Sequence, residues 1–167
     1  MADMDIEQLL DQIVSTPDCI VSPPSGKPEV SDPHLLPGDV DKFYQICGGV
    51  VLFKSSSYPL SIVPPYSVVP ANPVIVGEVA TEDISESWYI IADDQNGDYF
   101  TIDLSPERLG RCYDSFSDSH AIVGSSAIVA TTFTDFLTRM LDNRGQHWYF
   151  LQADFASLGD AYDEADS

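Results

Sequence analysis

Trp88-Tyr89-Ile90-Ile91-Ala92-Asp93-Asp94-Gln95-Asn96-Gly97-Asp98-Tyr99-Phe100-Thr101-Ile102-Asp103-Leu104 is the stretch that decides the fold. Two runs rich in aromatic and β-branched residues flank a turn built on Asn-Gly, and that arrangement predicts a β-hairpin. Arg111 to Phe116 reads as one more strand, and Ala121 to Ala130 as a strand or strand-like loop. Toward the N-terminus, Val74 to Val79 is predicted to be a β-branched strand. Residues 55–73, rich in Ser and Pro around Leu60, Ile62 and Val63, read as a broken edge strand, because proline cannot donate to a central ladder. Val50 to Phe53 reads as a short buried strand.

Helices flank these strands. Ile6, Leu9, Leu10, Ile13 and Val14 follow helical spacing, with Asp3, Asp5 and Glu7 at the positive end of the dipole. Pro17 closes that helix. Residues 17–37 hold six of the twelve prolines without regular PxxP spacing, so they read as a surface loop. Pro37 starts a second helix carrying Val40, Phe43, Tyr44 and Cys47, which Gly48-Gly49 stops. Phe133, Phe136, Leu137, Met140 and Leu141 make the apolar stripe of a third, capped by Thr132 with Asp135 three residues on. Leu151, Phe155, Leu158 and Tyr162 suggest a final helix. The expected fold is α+β in one domain over residues 1–167: a mixed, mostly antiparallel sheet packed against helices from both ends of the chain. Residues 145–167 form an acidic C-terminal extension.

The chain has 167 residues, with 27 Asp plus Glu against 7 Lys plus Arg and a formal net charge of -20. Direct binding to nucleic acid is not expected, since phosphate contact needs clustered cations. An anionic membrane surface is disfavoured for the same reason, and no apolar run approaches the ~20 residues of a membrane helix. The acidic start MADMDIEQ lacks the basic region of a signal peptide. Cys19, Cys47 and Cys112 are odd in number and form no CxxC, which fits reduced thiols in the cytoplasm.

A search for chemistry returns little. His34, His120 and His147 have no metal-ligand spacing between them. Asp94, Asn96, Gly97 and Asp103 partly match a calcium loop, but Ala92 stands where the first ligand belongs. Gly124-Ser125-Ser126-Ala127-Ile128 lacks the second glycine of a nucleophile elbow, and no phosphate-binding glycine loop occurs. No cofactor, metal or catalytic residue is assigned, and the chain is not expected to be an enzyme.

Three segments bear a resemblance to a known family. Leu36-Pro37, Phe43-Tyr44 and Cys47-Gly48-Gly49-Val50-Val51-Leu52-Phe53 look like the opening helix and first strand of the SUKH superfamily. The 88–104 hairpin resembles its central hairpin, and Ile128-Val129-Ala130, Phe133 and Phe136-Leu137 its closing strand and helix. Loop 17–37 is long for that family, and 145–167 lies beyond its usual closing helix. The resemblance implies a binding scaffold, with Phe43, Trp88 and Phe136 in its core. Members include yeast cell-wall assembly regulators and bacterial immunity proteins that neutralise toxins, often nucleases, delivered in contact-dependent competition.

That implication and the charge agree. A toxin that holds nucleic acid is basic, and an acidic inhibitor attracts it at long range. The leading expectation is therefore an immunity-type protein that binds a basic toxin domain stoichiometrically. Its expected contact residues are Glu82, Asp83, Glu86, Asp93, Asp94 and Asp98, with Tyr58 and Tyr66 as anchors. The alternative is a regulatory or adaptor protein using the same scaffold for a host partner.

Overall fold

A computed structural model describes residues 5–77, 83–116, 120 and 126–162. Seven strands lie side by side in chain order, each antiparallel to the next. They are β1 (Ile20–Val21), β2 (Val50–Leu52), β3 (Leu60–Ile62), β4 (Trp88–Asp93), β5 (Tyr99–Asp103), β6 (Cys112–Ser115) and β7 (Ile128–Ala130). The helices are α1 (Ile6–Val14), α2 (Gly38–Ile46), α3 (Ala71–Ile75) and α4 (Phe133–Asn143). The expected α+β architecture is therefore present.

Helices α1, α2 and α4 pack on one another and form one layer. The amide of Gln8 donates to the Asp5 carboxylate (2.9 Å) while Asp5 N–H donates to Gln8 Oε1 (3.0 Å), so a capping box starts α1. Thr132 Oγ1 accepts from Asp135 N–H (3.0 Å) and starts α4. Beneath this layer runs a cross-strand row of Val50, Ile62, Ala92 and Phe100. Phe100 meets Phe136 of α4 at 5.3 Å, and Phe43 of α2 meets Phe133 at 5.1 Å. Both pairs stand at angles suited to the ring quadrupoles.

Chain order sets a bulge in β4. Ile90 pairs with Thr101 and Ala92 with Phe100, so Ile91 is an extra residue. Side chains alternate along a strand, and one inserted residue reverses the faces beyond it. The bulge turns Ala92 under the helices and Asp93 onto the opposite face, the face that also carries Trp88.

Four expectations are corrected. β3 is not an edge strand: it lies between β2 and β4, because Pro59 and Pro64 bracket it rather than interrupt it. The strand expected over 74–79 is in part α3, while residues 78 and 79 lie outside the described residues. Pro70 enters that helix and Pro73 sits in its first turn, where the missing amide costs nothing, and Asn72 C=O takes the amides of Val76 and Gly77. The final helix is absent. A single 3₁₀ turn, Tyr149–Leu151, is followed by extended chain that bridges Ala127 to Asp160. Trp148 and Phe150 enter the core while Leu151 stays exposed, so the apolar spacing does not mark a helix face. Lastly, Asp94, expected as a contact residue, lies within the turn rather than on its surface. It is buried, and its Oδ1 accepts the amides of Asn96 (2.8 Å) and Asp98 (3.1 Å), which holds the β4–β5 turn together.

Candidate binding surface

The sheet face away from the three helices has two unlike halves. Over β4 to β7 it is covered. Trp88, Tyr113, Ile128, Ala161 and Tyr162 form a separate apolar cluster there, with Trp88 against Tyr113 at 4.3 Å. Within this half Asp103 is wholly buried. Its carboxylate accepts from Ser87 Oγ (2.7 Å), Ser105 N–H (3.0 Å), Tyr113 Oη (2.6 Å) and Arg108 Nε (3.0 Å). Four donors satisfy a carboxylate that would otherwise be costly to bury. These bonds spend Asp103 on structure.

A second polar chain runs beside it. His120 Nε2 bonds Asn72 Oδ1 (2.6 Å), Asn72 Nδ2 donates to Ser85 Oγ (2.9 Å), and Ser85 and Tyr162 hydroxyls both donate to Asp83. Burial pushes the Asp83 carboxyl up, but these bonds and the nearby His120 outweigh it and hold it below its ordinary value. Burial drives His120 down to about 4, against a partial opposing pull from Asp83. The sign follows for both groups. A His with a depressed folded pKa stays neutral while the unfolded chain takes up a proton, so stability falls as pH drops from about 6.5 to about 4. Asp83 then removes a further share as it protonates below 3.8. Urea midpoints measured from pH 7 to pH 4 are expected to fall for the wild type, and His120→Gln is expected to flatten that slope.

Over β1 to β3 the same face is open among the described residues. A register row of Ile20, Val51, Ser61, Asp93, Tyr99 and Ser115 crosses six strands. It runs from Ile20, 46% exposed, to fully buried Ser115. A groove of about 490 Å³ lies over its open end, lined by Ser22, Val51, Ser61, Val63, Tyr66 and Asp93 among others. Loop 17–37 forms its outer wall, tied to the sheet by Ser22 N–H to Gly49 C=O (2.9 Å) and Gly48 N–H to Ser22 C=O (3.0 Å). Gly49 has φ +125°, and a Cβ there would stand 2.6 Å from Ile62 C=O, so only glycine lets the chain entering β2 approach β3 this closely.

The expected contact residues are dispersed. Tyr66 and Asp93 line this one groove. Asp94 and Asp98 lie in the β4–β5 turn, Asp94 buried. Asp83 caps the 3₁₀ turn Ile84–Ser87, and Glu86 is exposed on that turn. Tyr58 leans edge-on against Trp148 at 5.3 Å. Glu82 lies outside the described residues. The sequence reading missed the groove because its lining comes from four separate segments. It also missed that the bulge at Ile91 determines where Asp93 points.

The opening helix, the central hairpin and the closing strand with α4 are thus the parts that carry the resemblance, and they stand in the expected order. The SMI1 / KNR4 family (SUKH-1) matches residues 34–139. The chain belongs to this family. It is 49% identical over 160 residues to Immunity protein YokJ of Bacillus subtilis (strain 168), covering 96% of this chain and 97% of that protein. No solved structure matches. The SUKH-1 chain departs from the matched region on both sides: α1 and β1 precede residue 34, and Trp148 to Tyr162 follow residue 139. Both additions join the core rather than hang from it. Among the described residues no group of three or more His, Cys, Asp or Glu has the placement to hold a metal ion. No helix among them is long and apolar enough to cross a membrane.

Proposed function

We propose that this SUKH-1 chain is an immunity-type protein, one that binds a basic toxin domain in the cytoplasm and neutralises it by stoichiometric contact. The observation that carries the reading is the 49% identity to an immunity protein across nearly the whole of both chains. The charge of -20 supports the basic partner, and a nuclease fits best, since a protein that holds nucleic acid presents the cations that acids attract. Exposed Glu86 and the partly exposed Asp83, Asp93 and Asp98 supply steering, with Tyr58 and Tyr66 as apolar anchors. No covalent step belongs to this reading.

The purified chain used as bait tests it. One basic partner retained through low-salt and high-salt washes, toxic when expressed alone and harmless when co-expressed with this chain, is the expected result. Its association rate is expected to fall at least about tenfold from low to high ionic strength, with dissociation little changed, because steering acts on encounter. A retained partner without toxicity overturns the reading in favour of an adaptor role.

A further inference from the structure

We infer that the groove between Tyr66 and Asp93 receives an arginine side chain of the partner, its guanidinium paired with Asp93 and laid on the Tyr66 ring. The source of that arginine rests on the proposed toxin-binding reading, but the groove's preference for arginine is a property of this chain alone.

Of the expected contact residues, Tyr66 and Asp93 are the two that line one groove. Asp103 is held by Arg108, Ser87 and Tyr113. Asp83 is held by Ser85 and Tyr162, and Asp94 by its own turn. Tyr58 is partly covered by Trp148. Asp93 differs. It is half-buried, and among the described residues it is the only charged one lining the 490 Å³ groove. One of its oxygens takes Gln95 N–H (3.0 Å), and no cation reaches it among the described residues. Burial first, and then the like charge of Asp94, push its carboxyl up, so the ionised form lacks the neighbour that would stabilise it. A cation brought by a partner supplies that neighbour.

Tyr66 is the matching half. It is 79% exposed, the most open of the large hydrophobic side chains. Pro64 and Pro65 start its 3₁₀ turn, and Pro70 follows, so its backbone is fixed before binding. A rigid tyrosine loses little entropy on contact, which is why this residue type makes good anchors. The same ring also borders a second groove of about 400 Å³, against Lys27, Glu29 and Val68. Lys27 is engaged by Asp41 at 2.9 Å and so leaves the Asp93 side free of positive charge. The rest of the lining includes apolar Val51 and Val63. A long methylene stem with a planar cationic head fits apolar side chains, a carboxylate and an aromatic face. Arginine suits this better than lysine, because it stacks on rings and pairs with carboxylates through two parallel bonds.

The test uses the ¹⁵N-labelled full chain titrated with acetyl-Gly-Arg-Gly-amide, and with the uncharged citrulline tripeptide as its isostere. Amide shifts are expected to concentrate at residues 50–52, 61–66 and 91–95 with the arginine peptide and to be absent with citrulline. Asp93→Asn is expected to weaken the peptide at least about tenfold, and Tyr66→Ala by several-fold. Shifts scattered over the acidic surface and unmoved by Asp93→Asn overturn the inference. With the toxic partner in hand, Tyr66→Ala and Asp93→Asn are each expected to weaken the complex at least about thirtyfold while near-UV circular dichroism stays native, with Glu107→Gln as the unaffected control. A wild-type chain that binds the toxin and two variants that bind it equally well refute the groove and leave the immunity reading standing. An arginine-specific groove in a chain without a toxic partner refutes that reading and leaves the groove.

Discussion

Asp103→Ala is expected to destabilise the protein by about 3–5 kcal/mol, the range for removing one member of a buried, hydrogen-bonded charge pair. The carboxylate gathers four donors from three places in the chain: Ser87 before β4, Ser105 and Arg108 after β5, and Tyr113 on β6. Alanine leaves the Arg108 guanidinium and the Tyr113 hydroxyl without this acceptor, while the Ser87 hydroxyl keeps Ile84 C=O (3.1 Å). For a chain of this length the loss corresponds to a fall in Tm of about 10 °C or more. Tyr113→Phe removes one donor and keeps the ring stacked on Trp88, so it is expected to cost about 1–2 kcal/mol. Urea unfolding of both variants checks the order. Equal costs would show that the Tyr113 hydroxyl bond accounts for all that the carboxylate contributes.

Ending the chain at Gly145 is expected to abolish cooperative unfolding. The removed segment looks like an acidic extension, yet Trp148 and Phe150 pack on Phe100, and the Tyr149 hydroxyl donates to Val129 C=O. Ala161 and Tyr162 complete the second cluster, with Tyr162 donating to Asp83 at 2.7 Å. Truncating a buried Trp or Phe costs about 3–5 kcal/mol each. Losing the whole segment therefore removes about 10 kcal/mol, comparable with the entire stability of a domain. Far-UV and near-UV circular dichroism through a urea titration reads the outcome. A sharp transition in the shortened chain would mean that residues 146–162 ride on a core complete without them. Tail deletion is for this reason a poor way to separate an inhibitor from an adaptor, since it removes the fold along with any docking segment. Point substitutions at Tyr66 and Asp93 avoid that.

How far the sequence carries depends on the range of each signal. The 88–104 hairpin, α1, α2 and α4 were legible because their apolar periods and caps act within a few residues. α3 was not, since Val74 and Ile75 look like strand residues and only the neighbouring prolines decide otherwise. Trp148 and Phe150 carry no period at all, because their positions answer to rings on β5 and just after β6, distant in the chain. The groove was the least legible part. Tyr66 and Asp93 were singled out separately as contact residues, but a one-residue bulge at Ile91 decides that Asp93 shares the open face, and no local pattern announces it.

The contact of α1 with α4 has a consequence for how the protein is made. Helix α1 is made before every strand of the sheet, yet it packs against α4, which is made after them all. The strands can pair with their neighbours as they emerge, since sheet order follows chain order. The helical layer cannot close until residue 143 is free of the exit tunnel, and until then Phe100 and Ile62 have no helical cover. A product that stalls after β7 and before α4 leaves Phe100 without Phe136.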